Sequence, residues 1–211
     1  NKKNEVVEMF DSKISAKDMI DEIIDEADIA IPISKKIYLG WLNSTEQLLY
    51  SEIIKEQAKT VLSPIPAGNI IKLSDIPAAA GENNICFEDI HTIYADHHQL
   101  IKSTLASGSI FPNCWYKVGV NVGYSFFKQP ELLEIIYFVR PALKTISQNG
   151  DITGNVMLPP EFSDLMKAKL RGEAYKLAGE YTASANWLND YNSWLENFKA
   201  WIETRRQALG I

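Results

Sequence analysis

Apolar residues recur every three or four positions in the first part of the chain, and that period predicts helices. Met19, Ile20, Ile23, Ile24 and Ala27 alternate with acids in the stretch DMIDEIIDEADIAIP, which gives one apolar and one strongly negative face. Ser15 is the expected N-cap, with Asp18 three residues later as its acidic partner, and Pro32 ends the segment. A longer helix is expected from about Ser34 to Val61, with Ile37, Trp41, Leu42, Thr45, Leu48, Leu49, Ile53, Ala58 and Val61 on its apolar side. Ser63-Pro64 and Pro66-Ala67-Gly68 stop it.

Between about Asn69 and Val139 the period shifts towards two. Ile70–Leu73, Ile85–Ala95, His97–Ser103, Cys114–Val122 and Leu133–Val139 are rich in β-branched and aromatic residues. Breakers separate them at Gly81–Asn84, Ser107-Gly108, Pro112-Asn113 and Lys128-Gln129-Pro130. The pattern predicts a small antiparallel β-domain. Lys144–Gly154 reads as a polar linker turning at Asn149-Gly150-Asp151. Pro160 then suits a first helical turn, Glu161 complements its dipole, and Phe162, Leu165, Met166, Leu170, Ala174, Tyr175 and Ala178 supply a buried side. Gly179 or the residues after it bend this helix before the last one begins.

The last helix carries the most distinctive pattern in the chain. Trp187, Trp194 and Trp201 stand seven residues apart, each followed by an aliphatic residue (Leu188, Leu195, Ile202), with Tyr191 and Phe198 between. These positions share one helical face, and a stripe of this kind is expected to lie against the protein's own core, with a partner's groove as the alternative. The fold class that follows is α+β: mostly an α-helical bundle, residues 1–68 and 141–211, with a small antiparallel β module inserted at 69–140.

Composition narrows the function. The chain has 211 residues, 46% hydrophobic and 23% charged, as in an ordinary globular protein. A net charge of -6 argues against a dedicated nucleic-acid binder. Seven acidic residues fall between Asp11 and Asp28 against two lysines, which reads most simply as a solvated face and more sharply as a surface that would repel phosphate. No apolar run approaches the ~20 residues that span a bilayer, so no membrane role is expected. The opening NKKNEVVEMFDSK has no signal-peptide core, and the start at Asn1 rather than Met is expected to reflect a few residues trimmed or disordered. Cys86 and Cys114 lack CxxC spacing and are expected to be reduced, partly buried thiols.

Candidate chemistry is sparse. On a strand, His97 and His98 point to opposite faces, so with Asp96 and His91 they read as polar residues at a hairpin turn. There is no G-x-S-x-G elbow and no phosphate loop, and Gly119-Val120-Asn121-Val122-Gly123 lacks the third glycine of a dinucleotide fingerprint. Its glycines are expected to ease strand twist. No enzyme activity, metal or cofactor is expected.

The order of the pieces carries a resemblance. Tyr137-Phe138-Val139-Arg140-Pro141-Ala142-Leu143 is followed by a polar gap, then by Met157-Leu158-Pro159-Pro160-Glu161-Phe162-Ser163-Asp164-Leu165-Met166 and Ala168-Lys169-Leu170-Arg171-Gly172-Glu173-Ala174. A long aromatic helix ending in Arg205-Arg206 closes the chain, while Ile90-His91-Thr92-Ile93-Tyr94 and Trp115-Tyr116 open strands upstream. Over residues 34–209 this resembles the head-to-tail adaptor (connector) proteins of tailed bacteriophages. The resemblance implies a structural protein of the virion, assembled in the host cytoplasm and placed at the head-tail junction. It would form a dodecameric ring with neighbouring copies of itself beneath the portal protein, extend the DNA channel and receive tail or nozzle proteins. Trp187, Trp194, Leu195, Phe198, Trp201, Arg205 and Arg206 would dock on the portal. Asp18, Asp21, Glu22, Asp25 and Glu26, facing the lumen, would let DNA pass without specific binding.

Two other readings compete. One is a helical-bundle ligand-binding module whose β insertion stacks a carbohydrate on Trp115, Tyr116, Tyr124, Phe126 or Phe127. The other is a metal-dependent hydrolase using His91, Asp96, His97 and His98.

Overall fold

The computed structural model describes residues 14–29, 31–65, 67–76, 85–103 and 112–209. Breakers expected at Gly81–Asn84 and Ser107-Gly108, and the opening residues 1–13, lie outside the described residues. Among those described, the chain forms two compact units, one of residues 55–142 and one of 14–54 with 143–209.

The discontinuous unit begins with β1 (Ile14–Ser15) and α1 (Ala16–Glu26), where the Ser15 hydroxyl accepts the Asp18 N–H at 3.2 Å as the capping pattern anticipated. Ala16, Met19, Ile20 and Ile23 form its buried face. In α2 (Lys35–Leu49), Tyr38, Leu39, Leu42, Thr45, Glu46 and Leu49 turn inward. This helix stops well short of Val61. It widens into a π-helical turn, Tyr50–Ile54, and Lys55 at φ +44 leaves helical space.

The second unit starts there. In β2 (Gln57–Leu62) buried Ala58 and Thr60 alternate with exposed Gln57, Lys59 and Val61, so a segment expected to be helical is a strand. Next come β3 (Ile70–Ile71), β4 (Ile90–Ala95), β5 (His98–Gln99), β6 (Ile101–Lys102), β7 (Cys114–Val118), β8 (Asn121–Ser125) and β9 (Leu133–Phe138). One antiparallel sheet has the order β2-β9-β4-β5 and the other β3-β8-β7-β6, in which β6 runs parallel to β7. Residues 98–102 serve both sheets. β5 pairs with β4, buried Leu100 donates its N–H to Ile93, and Ile101 and Ser103 then donate to Asn113 and Trp115 across the other sheet. Sheet-switching strands of this kind form the corners of two-sheet structures.

Two hairpins have a readable cause. Asp96 and His97, both at positive φ (46 and 67), link Ala95 to its partner His98, as a type I′ turn requires. Gly119, at φ +61, opens the two-residue link between Val118 and Asn121. The run Cys114–Val122 therefore does not form one strand, and Gly119 turns the chain rather than easing its twist. Gly123, paired with Tyr116, is covered by that ring: a Cβ there would clash with Tyr116 Cε2.

The chain returns to the first unit through β10 (Thr145–Ile146), β11 (Ile152–Thr153) and β12 (Asn155–Val156). β10 and β11 form a hairpin where a linker was expected, and β12 pairs with β1. Pro160 opens a short 3-10 turn ahead of α3 (Ser163–Leu177); Gly179, at φ +83, ends it; and α4 (Tyr181–Leu209) follows. Gly172 lets α4 approach closely, since a Cβ there would stand 2.8 Å from Leu188 Cγ, and its carbonyl accepts the Ser184 hydroxyl at 2.8 Å.

The expectation of a helical bundle with a small β module is therefore overturned. About 47% of the described residues are helical and 24% are strand, in several sheets of two to four strands, which makes it a mixed α+β protein. The excess strand lies in β2 and in the hairpin and pairs within the helical unit, where short polar segments gave no long-range pairing signal.

Asp96 anchors the first hairpin. Its Oδ1 accepts the N–H groups of Glu131 (2.9 Å) and Leu132 (3.1 Å) as the chain enters β9. Asp96→Ala removes both acceptors and places a Cβ residue without turn preference at positive φ. We expect a loss of about 1–3 kcal/mol in urea unfolding, most of it recovered by Asp96→Asn.

Candidate functional site

The C-terminal helix arranges its stripe as three parallel rows. Ser184, Tyr191 and Phe198 are buried; Leu188, Leu195 and Ile202 flank them on one side; and Trp187, Trp194 and Trp201 are half-buried on the other. Successive tryptophans stand two turns apart, roughly 10 Å along the axis. Phe198 meets Phe162 edge-on with centroids 4.9 Å apart and stacks on Trp201 at 6.2 Å. Trp201 also meets Phe162, at 5.5 Å.

Cations border the indole row. The Arg171 guanidinium lies 4.7 Å from the centroid of Trp187, and Arg205 lies 5.2 Å from that of Trp201. Each pairing combines ring quadrupole and charge, an arrangement common at protein contacts. The Lys169 ammonium lies 5.3 Å from Tyr191, whose hydroxyl burial pushes up in pKa.

The two closing arginines separate in role. Arg205 is exposed, while Arg206 Nη2 donates to the carbonyls of Ile53 (3.0 Å) and Ile54 (2.8 Å), capping the π-helical turn. Arg206, expected at the docking rim, spends these bonds inside its own unit. Phe198, expected in the same set, is fully buried. Trp187, Trp194, Leu195, Trp201 and Arg205 keep exposed surface.

The acidic face of α1 divides in the same way. Asp21 pairs with Lys17 (2.7 Å) and Lys35 (2.5 Å), and those hydrogen bonds hold its carboxyl below the usual range. Glu22 pairs with Lys167 of α3 at 2.5 Å, and Glu26 with Arg171. These contacts tie α1 to α2 and α3, so the stretch is partly an internal clamp. Asp18 and Asp25 are exposed.

Residues 144 and 46 carry the most buried charges. Lys144, placed by sequence in a polar linker, forms an ion pair with Glu46 of α2, and both side chains are almost fully enclosed. Glu46 Oε1 accepts the Met157 N–H at 2.6 Å. Asn43 receives the Lys144 N–H (2.9 Å) and donates to its carbonyl (3.0 Å). Burial pushes the Glu46 carboxyl up, against the pull of Lys144, and pulls the Lys144 ammonium down, against the pull of Glu46. Glu46 at helical spacing beside Thr45 and Leu49 was the available signal, because a charge on the apolar face of a helix needs a partner.

The competing sites disperse. His91 lies edge-on to Phe138 at 5.4 Å, His97 Nδ1 is 3.6 Å from Glu134 Oε2, and His98 tilts towards Phe126 at 6.4 Å. Among the described residues no group of three or more His, Cys, Asp or Glu is placed to hold a metal ion. Of the sugar-stacking candidates, Trp115 and Tyr124 are buried, the latter donating its hydroxyl to the Gly68 carbonyl at 3.2 Å, and Tyr116 covers Gly123. Phe126 is half-buried and Phe127 exposed. Cys114 is buried, its thiol pushed up by burial, whereas Cys86 is exposed rather than partly buried; neither forms a disulfide. No helix among the described residues is long and apolar enough to cross a membrane. No protein-family model matches the sequence, and a search of curated proteins returns no match.

Proposed function

We propose that this chain is a structural head-to-tail adaptor of a tailed bacteriophage. It assembles with copies of itself as a ring beneath the portal protein, extends the DNA channel and receives tail or nozzle proteins at the head-tail junction of the virion. The observation that carries this reading is the row of Trp187, Trp194 and Trp201 along a 29-residue helix. Each indole is half-buried, with Trp187 against Arg171 and Trp201 against Phe162, which suits the aromatic anchors that dominate protein contacts. Arg205, exposed beside Trp201, would meet carboxylates of the portal. The element order on which the sequence resemblance rests also supports it. Asp18 and Asp25, exposed on α1, are the carboxylates that would face passing DNA; Asp21, Glu22 and Glu26 serve the helix clamp first.

Mass photometry of the purified chain, alone and mixed with the portal protein encoded by the same genome, tests the proposal. A discrete ring-sized increment on the portal is expected, and Trp194→Lys should abolish it while leaving the helical circular dichroism intact. A portal that gains no mass at micromolar protein would overturn the reading.

A further inference from the structure

The β unit holds a cleft that the adaptor reading does not use. It lies where residues 98–102 leave the β4 sheet for the β7 sheet: the two sheets part beyond Leu100 and open a space of about 330 Å³ lined by His91, Thr92, Gln99, Ile101, Lys102 and Trp115. Three independent features meet there. First, β4 bulges at this point: Ile90 pairs with Tyr137 and Thr92 with Ile136, which leaves His91 as the extra residue. A bulge leaves that residue outside the ladder and re-aims its side chain, and bulges cluster beside binding sites. Second, β5 pairs with β4 at Tyr94 and Ala95 and Leu100 donates to Ile93, but beyond that point β6 diverges. Among the described residues no strand therefore pairs in a ladder with the cleft-side edge of Ile90–Thr92, where Gln99 Nε2 donates to the Thr92 hydroxyl at 3.2 Å. Third, the Lys102 ammonium lies 4.9 Å from the Trp115 centroid and 5.2 Å from that of Phe87, and among the described residues it pairs with no carboxylate. The acids nearby are engaged, Glu88 by Lys117 and Asp89 by Arg140. A local excess of positive charge thus stands in a chain of net charge -6.

From this geometry we propose that the cleft binds an extended acidic peptide segment of a partner protein. The segment's main chain pairs with the free edge of β4 beside the His91 bulge, and an Asp or Glu carboxylate caps Lys102. Strand addition provides affinity through main-chain hydrogen bonds, and the pocket for alternate side chains selects the acid. The aromatic rings under Lys102 fix its ammonium before the peptide arrives, which reduces the ordering cost of binding. Ile101, 73% exposed beside it, offers an apolar contact to the intervening side chain.

The test is fluorescence anisotropy of the whole chain with a labelled peptide of alternating Glu and Val. Comparison peptides carry Lys for Glu, or Pro at alternate positions to remove main-chain donors. Saturable binding of the Glu-Val peptide alone is expected, weakened about tenfold by Lys102→Gln, restored by Lys102→Arg and unchanged by Lys72→Gln, an exposed lysine following β3 at the opposite edge of the sheet from β6. Thermal melts of each variant verify that the fold persists. Absence of binding, equal binding of the Pro peptide, or equal affinity in Lys102→Gln would each overturn the proposal. So would full displacement by millimolar inorganic phosphate, which would reduce the site to a simple anion contact.

Discussion

Replacing Lys144 with methionine is expected to cost ~3–5 kcal/mol in urea unfolding, because it leaves the Glu46 carboxylate buried without its counter-charge. Glu46→Gln should cost a comparable amount by stranding the ammonium. The double variant Glu46→Gln/Lys144→Met keeps an acceptor for the Met157 N–H and strands no charge, so it should recover most of the loss. That recovery separates a pair retained for mutual compensation from one that stabilises outright. The two single variants should also differ in pH dependence. In Lys144→Met the Glu46 carboxyl, raised by burial, takes up a proton on folding. Its stability is present below the ordinary glutamate value of about 4.3 and is lost as pH rises through the raised value, so the deficit shrinks in acid. In Glu46→Gln the Lys144 ammonium is lowered by burial. Its stability is present above the ordinary lysine value of about 10.4 and is lost as pH falls through the lowered one, so that deficit shrinks in alkali. Parallel pH profiles for the two variants would contradict this account.

The same pair shows where sequence reasoning loses reach. Helix α1 was readable because its signals are local: a serine cap at Ser15, isoleucines at helical spacing and a proline after them. The break between α3 and α4 was readable for the same reason, since Gly179 takes the left-handed conformation that glycine favours. The end of α2 carried no such mark. Lys55 leaves helical space without a glycine or proline, and Ala58 and Val61 continue a helical count as easily as Ala58 and Thr60 fit β2. Lys144 was read as linker because its partner stands 98 residues away, and one sequence shows no long-range pairing. The tryptophan row was legible as a helical stripe. Its division into buried and half-buried rows was not, because that depends on where Phe162 and Arg171 arrive from α3 and the turn before it.

That division yields the second large effect. Phe198→Ala should cost ~3–5 kcal/mol, since the ring is fully enclosed and removing it leaves a cavity against Phe162 and Trp201. Trp194→Ala should cost only about 1–2 kcal/mol, because part of the indole already lies in water and only the enclosed part contributes burial energy. The same two variants should rank in the opposite order for portal binding, once temperature is lowered so that Phe198→Ala remains folded. Phe198 is fully buried against Phe162 and Trp201, and its loss acts on the helix as a whole. Trp194 is half-buried, and in the proposed complex its loss removes a contact. Chemical denaturation curves read alongside mass photometry measure both quantities on the same samples. If Trp194→Ala proves as destabilising as Phe198→Ala and portal binding follows stability alone, the row is core throughout. The docking surface must then be sought on the polar side of α4.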